Sequence, residues 1–395
     1  MSLTDRRRFL GGLALGAGAI ATRHALAASD DGHAAGYDVA PASRFTPLVP
    51  RRAGEAPAFT YALDRVPPKA VSGGWARDVT MRALPISEDI AGAHLFINPG
   101  GAREMHWHRG AEWASVLAGN CQVTVLDPAG MIEVVNYGPG DLWYFPGGHS
   151  HAIQTLGEQP FHAILTFDDG LYSEHGTFGL SDWMSRLDAK LLVQNLGVPA
   201  DFLAALPKAE TYIMQGRPIP LDGPEARMAR ELDRAHTHRY ALMAQTPWRE
   251  FPGGTMHRAS AQEFPMSAST TGLVMRLRPG AIHELHWHPN ASEWFYVSKG
   301  TIRATMFGVD KRMATAELQA GDCAYIPRGC GHSEQNIGAE DCEIIGSLDS
   351  GVYEENTLSA WLANAPRHLL ANNFGIAEAA VPDFPKWGQS IVAKA

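Results

Sequence analysis

Cysteine is scarce, and the few present form no ligand pattern. Cys121, Cys323, Cys330 and Cys342 are the four in 395 residues, and none are spaced Cys-x-x-Cys, which argues against a zinc-thiolate site. Cys323, Cys330 and Cys342 are candidates for a disulfide if the chain meets an oxidising compartment, with buried free thiols as the alternative. Positive charge is also short: 33 Lys and Arg stand against 42 Asp and Glu, a net charge of -9 at pH 7. That balance offers no basic surface for nucleic acid, and a small anionic substrate would need locally placed arginine. No apolar run comfortably spans a bilayer, since the one at 11–21 is too short.

What the N-terminus does have is an address. Arg6-Arg7-Arg8-Phe9-Leu10, the small apolar run and Ala25-Leu26-Ala27 read as a cleavable export signal over residues 1–27, with paired arginines that resemble a twin-arginine signal. The expected destination is the periplasm or the medium, with no membrane attachment after cleavage; the alternative is a basic N-terminal anchor. Residues 28–68, rich in Ala, Pro and Gly without a clear period, read as an arm on a domain surface.

Beyond the arm, strand signals accumulate at 94–97, 122–126, 133–135, 142–145 and 162–167. Gly, Pro and Asp turns split them, the pattern of an antiparallel barrel or sandwich. Residues 182–195 read as a helix behind Ser181, ending near Gly197 with Pro199 beyond. The segment 208–251 reads as a packed connection with a charged helical stretch at 225–240. Its His236-Thr237-His238 is expected to bind no metal.

The second half repeats the first. His106 and His286 are 180 positions apart, while Glu112 and Glu293, Gly140 and Gly321, Pro146 and Pro327, and His151 and His332 are 181 apart. One inserted residue between the second histidine and the glutamate explains the change. The helical extension repeats as well, Ser181-Asp182-Trp183 matching Ser359-Ala360-Trp361. Two duplicated units therefore make up most of the chain, at 69–207 and 252–395.

Each unit carries His-x-His, then Glu, then a distant His: His106, His108, Glu112 and His151, and again His286, His288, Glu293 and His332. Alternation along a strand puts both histidines of a His-x-His on one face. Three neutral imidazoles and a carboxylate suit a divalent first-row metal such as Mn, Fe, Co or Ni, and leave two octahedral positions for a chelating acid, dioxygen or water. His149 competes with His151 as the fourth ligand. Because the repeat has Cys330 at that position and His332 opposite His151, His149 is assigned to the turn or to contact behind the ligands.

These spaced motifs resemble the two signatures of the cupin superfamily, and two copies resemble a bicupin. The resemblance implies an all-β fold of two tandem jelly-roll barrels with flanking helices. Arg103-Glu104-Met105-His106-Trp107-His108, Gly140-Asp141-Leu142-Trp143-Tyr144-Phe145-Pro146, Ser173-Glu174-His175-Gly176-Thr177-Phe178 and Leu285-His286-Trp287-His288 are similar to stretches of bacterial oxalate decarboxylases, and the likeness runs through nearly all of the mature chain.

That family implies Mn2+ in each barrel and conversion of oxalate to formate and carbon dioxide, with dioxygen required but not consumed. It also implies a homo-oligomer, a trimer or hexamer. Arg103 would bind the substrate and Glu174, on a mobile lid, would handle protons. Arg103 alternates away from the metal-facing side of its strand, so the resemblance requires a twist or bulge to redirect it. In the lid, His175-Gly176 replaces the family's usual Asn-Ser, which opens oxalate oxidation or another small-acid oxygenase as the rival activity. A non-catalytic metal- or sugar-binding bicupin is the rival outside catalysis. The second half has His283 where the first has Arg103, and Glu355 where Glu174 maps, so turnover is expected at the N-terminal site. Trp107 and Trp287 either pack as core residues or relay an electron.

Overall fold

Strands form where apolar residues alternate. In Asn120–Leu126 the side chains of Cys121, Val123 and Val125 are buried together, and the strand leaves its neighbour Glu112–Ala118 through Gly119 at φ +73°. An added Cβ at Gly119 would also stand 2.2 Å from the Pro160 carbonyl oxygen, so both conformation and space call for glycine. The computed structural model describes residues 58–308, 312–384 and 390–394. The expected export signal and most of the arm fall outside these residues.

The described strands pair antiparallel in four sheets, two facing each other in each half. In the first half one sheet runs in the order Arg239–Tyr240, Leu142–Phe145, Glu112–Ala118, Phe161–Phe167, Ala91–Ile97, Gly74–Val79, Lys69–Val71. The facing sheet runs Thr177–Gly179, Gly101–His108, Ser150–Leu156, Asn120–Leu126, Ile132–Tyr137, with Ile213–Gln215 also on Gly101–His108. Between them lies a core that includes Ile97, Val123, Trp143, Phe145 and Phe161. The second half repeats the arrangement around Met256, Phe295, Ile302, Met306 and Leu348. This is the expected all-β pair of barrels. No described helix is long and apolar enough to cross a membrane.

The halves are woven together. Thr60–Tyr61, in the segment expected to lie on a surface, is the edge strand of the second half's sheet, pairing with Cys323–Ile326. Arg239–Tyr240, from the connection, does the same for the first half by pairing with Leu142–Phe145. Each barrel thus borrows a strand from the segment that precedes the other, which covers a polar edge. Asp64 adds a polar tie: its carboxylate is 2.6 Å from His94 Nδ1 and accepts the Tyr296 hydroxyl at 2.7 Å.

Two helical expectations are corrected. The helix expected over 182–195 is two helices, Leu180–Arg186 and Ala189–Leu196. Leu187 is extended, and the Asp188 side chain caps the second helix by accepting from Lys190 N. The stretch 225–240 holds one 3-10 turn, Ala226–Met228, rather than a long helix. Arg230 pairs its backbone with Val134 and Leu232 N donates to Glu133, which bind this stretch to the barrel, while Asp233 accepts from Ala235 N in a local turn that competes with a helix. All four cysteines are buried free thiols.

The packing between halves has a shape that mutation can test. Trp294 lies against Gly92 of the first half and Trp113 against Gly272 of the second, and a Cβ on either glycine would meet the indole at 2.1 Å and 2.5 Å. Gly92→Ala is expected to destabilise the protein by about 1–3 kcal/mol through overpacking, read as a lowered melting temperature. An unchanged melting temperature would show that the interface yields.

Candidate metal centres

The four expected ligands of each half come together. His106 and His108 project from Gly101–His108, Glu112 opens the next strand, and His151, on Ser150–Leu156, sits directly opposite His106 in the ladder. Their ligand atoms lie within 4.8 Å of one another and all four residues are buried. His286, His288, Glu293 and His332 repeat this, with His332 opposite His286.

Hydrogen bonds behind the ligands set which nitrogen faces inward. His106 Nδ1 is 2.6 Å from the Glu104 carbonyl oxygen and His151 Nδ1 is 3.0 Å from that of His149. In the second half His286, His288 and His332 place Nδ1 at 2.7, 2.7 and 2.9 Å from the carbonyl oxygens of Glu284, Glu354 and Cys330. A carbonyl only accepts, so Nδ1 carries a proton and Nε2 is the nitrogen left facing the centre. His108 Nδ1 contacts Thr177 Oγ1 at 3.1 Å, a residue just beyond the expected lid.

The centres ask for a cation. Nε2 of His108, His151, His286 and His288 is buried without a hydrogen-bond partner. Glu112 Oε2 is near two of them, at 3.0 Å from His108 and 3.3 Å from His151, but off the axis of a hydrogen bond. Burial works against ionising Glu112, yet the charge of His151 and the contacts with both histidines outweigh it and hold the carboxyl well below its usual range. Burial, the charge of Arg103 and the neighbouring imidazoles push His106 far down, so it is neutral. A neutral His106 and the unpartnered Nε2 atoms of His108 and His151 beside an ionised carboxylate fit a divalent cation. In the second half Glu293 overcomes burial and pushes His332 up to about 9, so an entering cation displaces a proton there.

A bulge brings Arg103 to the first centre. Between His151 and Ile153 the neighbouring strand advances from His106 to Arg103, one residue more than its partner, so Arg103 is buried and lines a cavity of about 260 Å³ with His106, His108 and Glu112. Its guanidinium donates to the Tyr212 carbonyl oxygen at 3.0 Å and lies 4.3 Å from the centroid of that ring. No described carboxylate is in ion-pair contact with it, which leaves donors for an anion. The same bulge lies between His283 and His286, but His283 Nδ1 is bound to Glu334 at 3.0 Å.

Other expected residues are placed as follows. His149 does not join the quartet: it meets His238 edge-on, with Nδ1 3.0 Å from His238 Nε2, and His238 is in turn 2.6 Å from Glu133. Trp107 stacks on Phe178 and meets Trp183 edge-on, and Trp287 meets Trp361 edge-on. The described ring contacts do not join Trp107 to Trp287. Glu174 lies in the short helix Tyr172–His175, whose Tyr172 and Ser173 line the cavity, as does Thr177 after it.

Three contributors were not singled out from sequence. Trp143 Nε1 donates to Glu112 Oε1 at 2.9 Å and leaves Oε2 toward the ligands. Glu104 accepts from Tyr212 N and Ser181 N and so pins the connection and a helix to the ligand strand. Its recurrence as Glu284 was the available signal. Tyr212 carried none, because the matching backbone position in the second half is Ser390, whose carbonyl oxygen takes the Glu284 N–H as that of Tyr212 takes the Glu104 N–H.

Trp143→Phe removes the Glu112 bond and part of a buried indole. Metal affinity at the first centre is expected to fall about 10- to 100-fold, and the melting temperature of the metal-free protein to fall by a few degrees, because the buried carboxylate oxygen loses its donor. Metal titration of the purified variant measures both; unchanged affinity would remove Trp143 from the centre.

Comparison with known proteins agrees with this geometry. The Cupin family model matches residues 63–201 and 242–381. Oxalate decarboxylase OxdC of Bacillus subtilis (strain 168) is 38% identical over 301 residues, covering 74% of this chain and 76% of that protein. A probable oxalate decarboxylase of Arthroderma benhamiae is 31% identical over 348 residues, covering 85% and 82%. The structure of the Bacillus subtilis oxalate decarboxylase at pH 4.6 superposes with a TM-score of 0.80 at 34% identity, covering 87% of this chain and 89% of that one. Another structure of that enzyme, from work on its Mn(II) centres, superposes equally at 33% identity, covering 87% and 90%. The chain belongs to the cupin superfamily and, within it, to the bicupin oxalate decarboxylases.

Proposed function

We propose that this protein is a manganese-dependent oxalate decarboxylase that turns over at its N-terminal centre. The observation that carries the choice of centre is the buried guanidinium of Arg103, without an ion-pair partner among the described residues, in the cavity beside His106, His108 and Glu112, against the His283–Glu334 pair at the matching place. The reaction balances as hydrogen oxalate giving formate and carbon dioxide, so the protein must bind an anion, release one carboxyl group and deliver a proton to the remaining carbon.

The chain's residues divide that work. Arg103 offers a planar fork of donors to one carboxylate and draws its negative charge away from the metal side. Tyr212 holds that fork from below through its carbonyl and ring. The ligand quartets would hold Mn2+, which supplies Lewis-acid and one-electron chemistry with dioxygen as co-catalyst. Glu174, on the short helix whose Tyr172 and Ser173 line the cavity, is assigned to protonate the carbon that has lost carbon dioxide, with the lid excluding water.

Wild-type protein loaded with manganese is expected to give formate and carbon dioxide in equal amounts from oxalate. Glu174→Ala is expected to lose about 10²-fold or more of formate production while hydrogen peroxide rises. Arg103→Gln is expected to lower kcat/KM by about 10- to 100-fold. Peroxide rather than formate from the wild type would make the protein an oxidase; turnover of neither would reject oxalate as its substrate.

Two further readings complete the proposal. The helical extensions expose Trp183 (54%) and Trp361 (64%) at matching places, which supports assembly of copies into a trimer or hexamer. Light scattering that gives a monomer mass would reject this. Arg6 and Arg7 with the following apolar run support export through a twin-arginine route, and Lys substitution of both should retain the precursor in the cytoplasm.

A further inference from the structure

The two halves set a cation at the same point of the barrel wall. Lys69 opens the strand Lys69–Val71 and Arg249, 180 positions on, opens Arg249–Phe251. What each cation meets is different. Arg249 donates to Glu355 Oε2 at 3.0 Å, and Glu355 also accepts from the Tyr353 hydroxyl at 2.7 Å and from Ser390 at 3.1 Å. This carboxylate, 3% exposed, borders a surface cleft and stands 4.0 Å from His283 Nε2 on its inner side. The cation of the second half is therefore spent on a buried carboxylate.

Lys69 has no such partner. Among the described residues its ion-pair partner is Glu210 at 3.6 Å, with the two side chains 58% and 39% exposed, a pairing that water and salt weaken. Its ammonium lies 3.7 Å from the centroid of the Tyr212 ring, the same ring that carries Arg103 at 4.3 Å. The two cations are thus no more than about 8 Å apart, within one Debye length at moderate salt. Both line the N-terminal cavity. Asp78, Asp182 and Glu210 line it too, and the whole chain carries -9, so an approaching anion meets a repulsive field that Arg103 alone would face.

We propose that Lys69 is a specificity-determining residue for the N-terminal centre: a second cation at the cavity mouth that draws a small dicarboxylate inward and passes it along the Tyr212 ring to Arg103. Tyr212 suits the task because its backbone is fixed in a left-handed conformation at φ 56°, the only such non-glycine residue among those described, by bonds of its N–H and carbonyl to Glu104. One platform holds both charges in register. In the second half the same wall position is neutralised by Glu355, which denies that centre an anion entry.

The inference rests on the oxalate reading above, and the experiment separates the two. Formate production from oxalate is measured for manganese-loaded wild type, Lys69→Met, Lys69→Arg and Glu210→Gln over a range of ionic strength, with metal content matched. Lys69→Met is expected to lose about tenfold in kcat/KM at low salt, with kcat retained and a flatter salt dependence. Lys69→Arg should keep wild-type values, and Glu210→Gln, which frees the ammonium, should raise kcat/KM about twofold. Wild-type turnover with a Lys69→Met variant of equal kcat/KM and equal salt slope overturns the inference alone, as does a loss confined to kcat. No formate from the wild type removes the oxalate reading and this inference with it.

Discussion

Everything at the first centre depends on the cost of burying the Glu112 carboxylate. An ionised carboxylate out of water is stable only with compensation, and here it comes from imidazoles held at ligand distance and from the Trp143 N–H on the outer oxygen. The imidazoles are held in turn. Nδ1 bonds to backbone carbonyls commit each lone pair inward, and those carbonyls belong to the strands that make the barrel wall. The metal site is thus a property of the sheet, and a cation entering it completes a polar cluster that the fold has already oriented.

On that shared frame the two halves have diverged by few residues. Both keep the quartet, the tautomer-setting bonds and the bulge that turns a third side chain toward the centre. In the first half the bulge presents a permanent positive charge with donors to spare. In the second it presents His283, already bound to Glu334 and facing Glu355. Guanidinium and imidazole are not equivalent there: only the first keeps a planar fork and its charge at any working pH. Duplication preserved both quartets and left a guanidinium beside only one of them.

Much of this was legible in the sequence because it follows short-range rules. His106 and His108 share a face through strand alternation, and the repeat supplied His151 by its match to His332, which also demoted His149. What was not legible depends on contacts that no local rule fixes. Tyr212 reaches Arg103 across 109 positions, and its match in the second half is a serine, so repetition hid it. The helix expected at 182–195 breaks because Asp188 gains more as a cap than as a helical residue. Thr60–Tyr61 looked like surface because its pairing partner lies 262 residues away.

The borrowed strands and crossed tryptophans tie each barrel to the other. Trp113 follows the ligand Glu112 and packs on Gly272 of the second half, and Trp294 follows Glu293 and packs on Gly92 of the first. The strand that positions each carboxylate is therefore seated in the opposite barrel. Asp64 reinforces the seam from before the first barrel, tied to His94 there and to Tyr296 three residues after Glu293. Burial favours its protonation, but the bonds from His94 and Tyr296 prevail and hold its carboxyl below the usual range. The tie therefore contributes fully above the ordinary carboxylate pKa and is lost only as pH falls through that lowered value. A seam of this kind persists under mild acid, where hydrogen oxalate is available, because its carboxylate stays ionised while it is bonded to both halves.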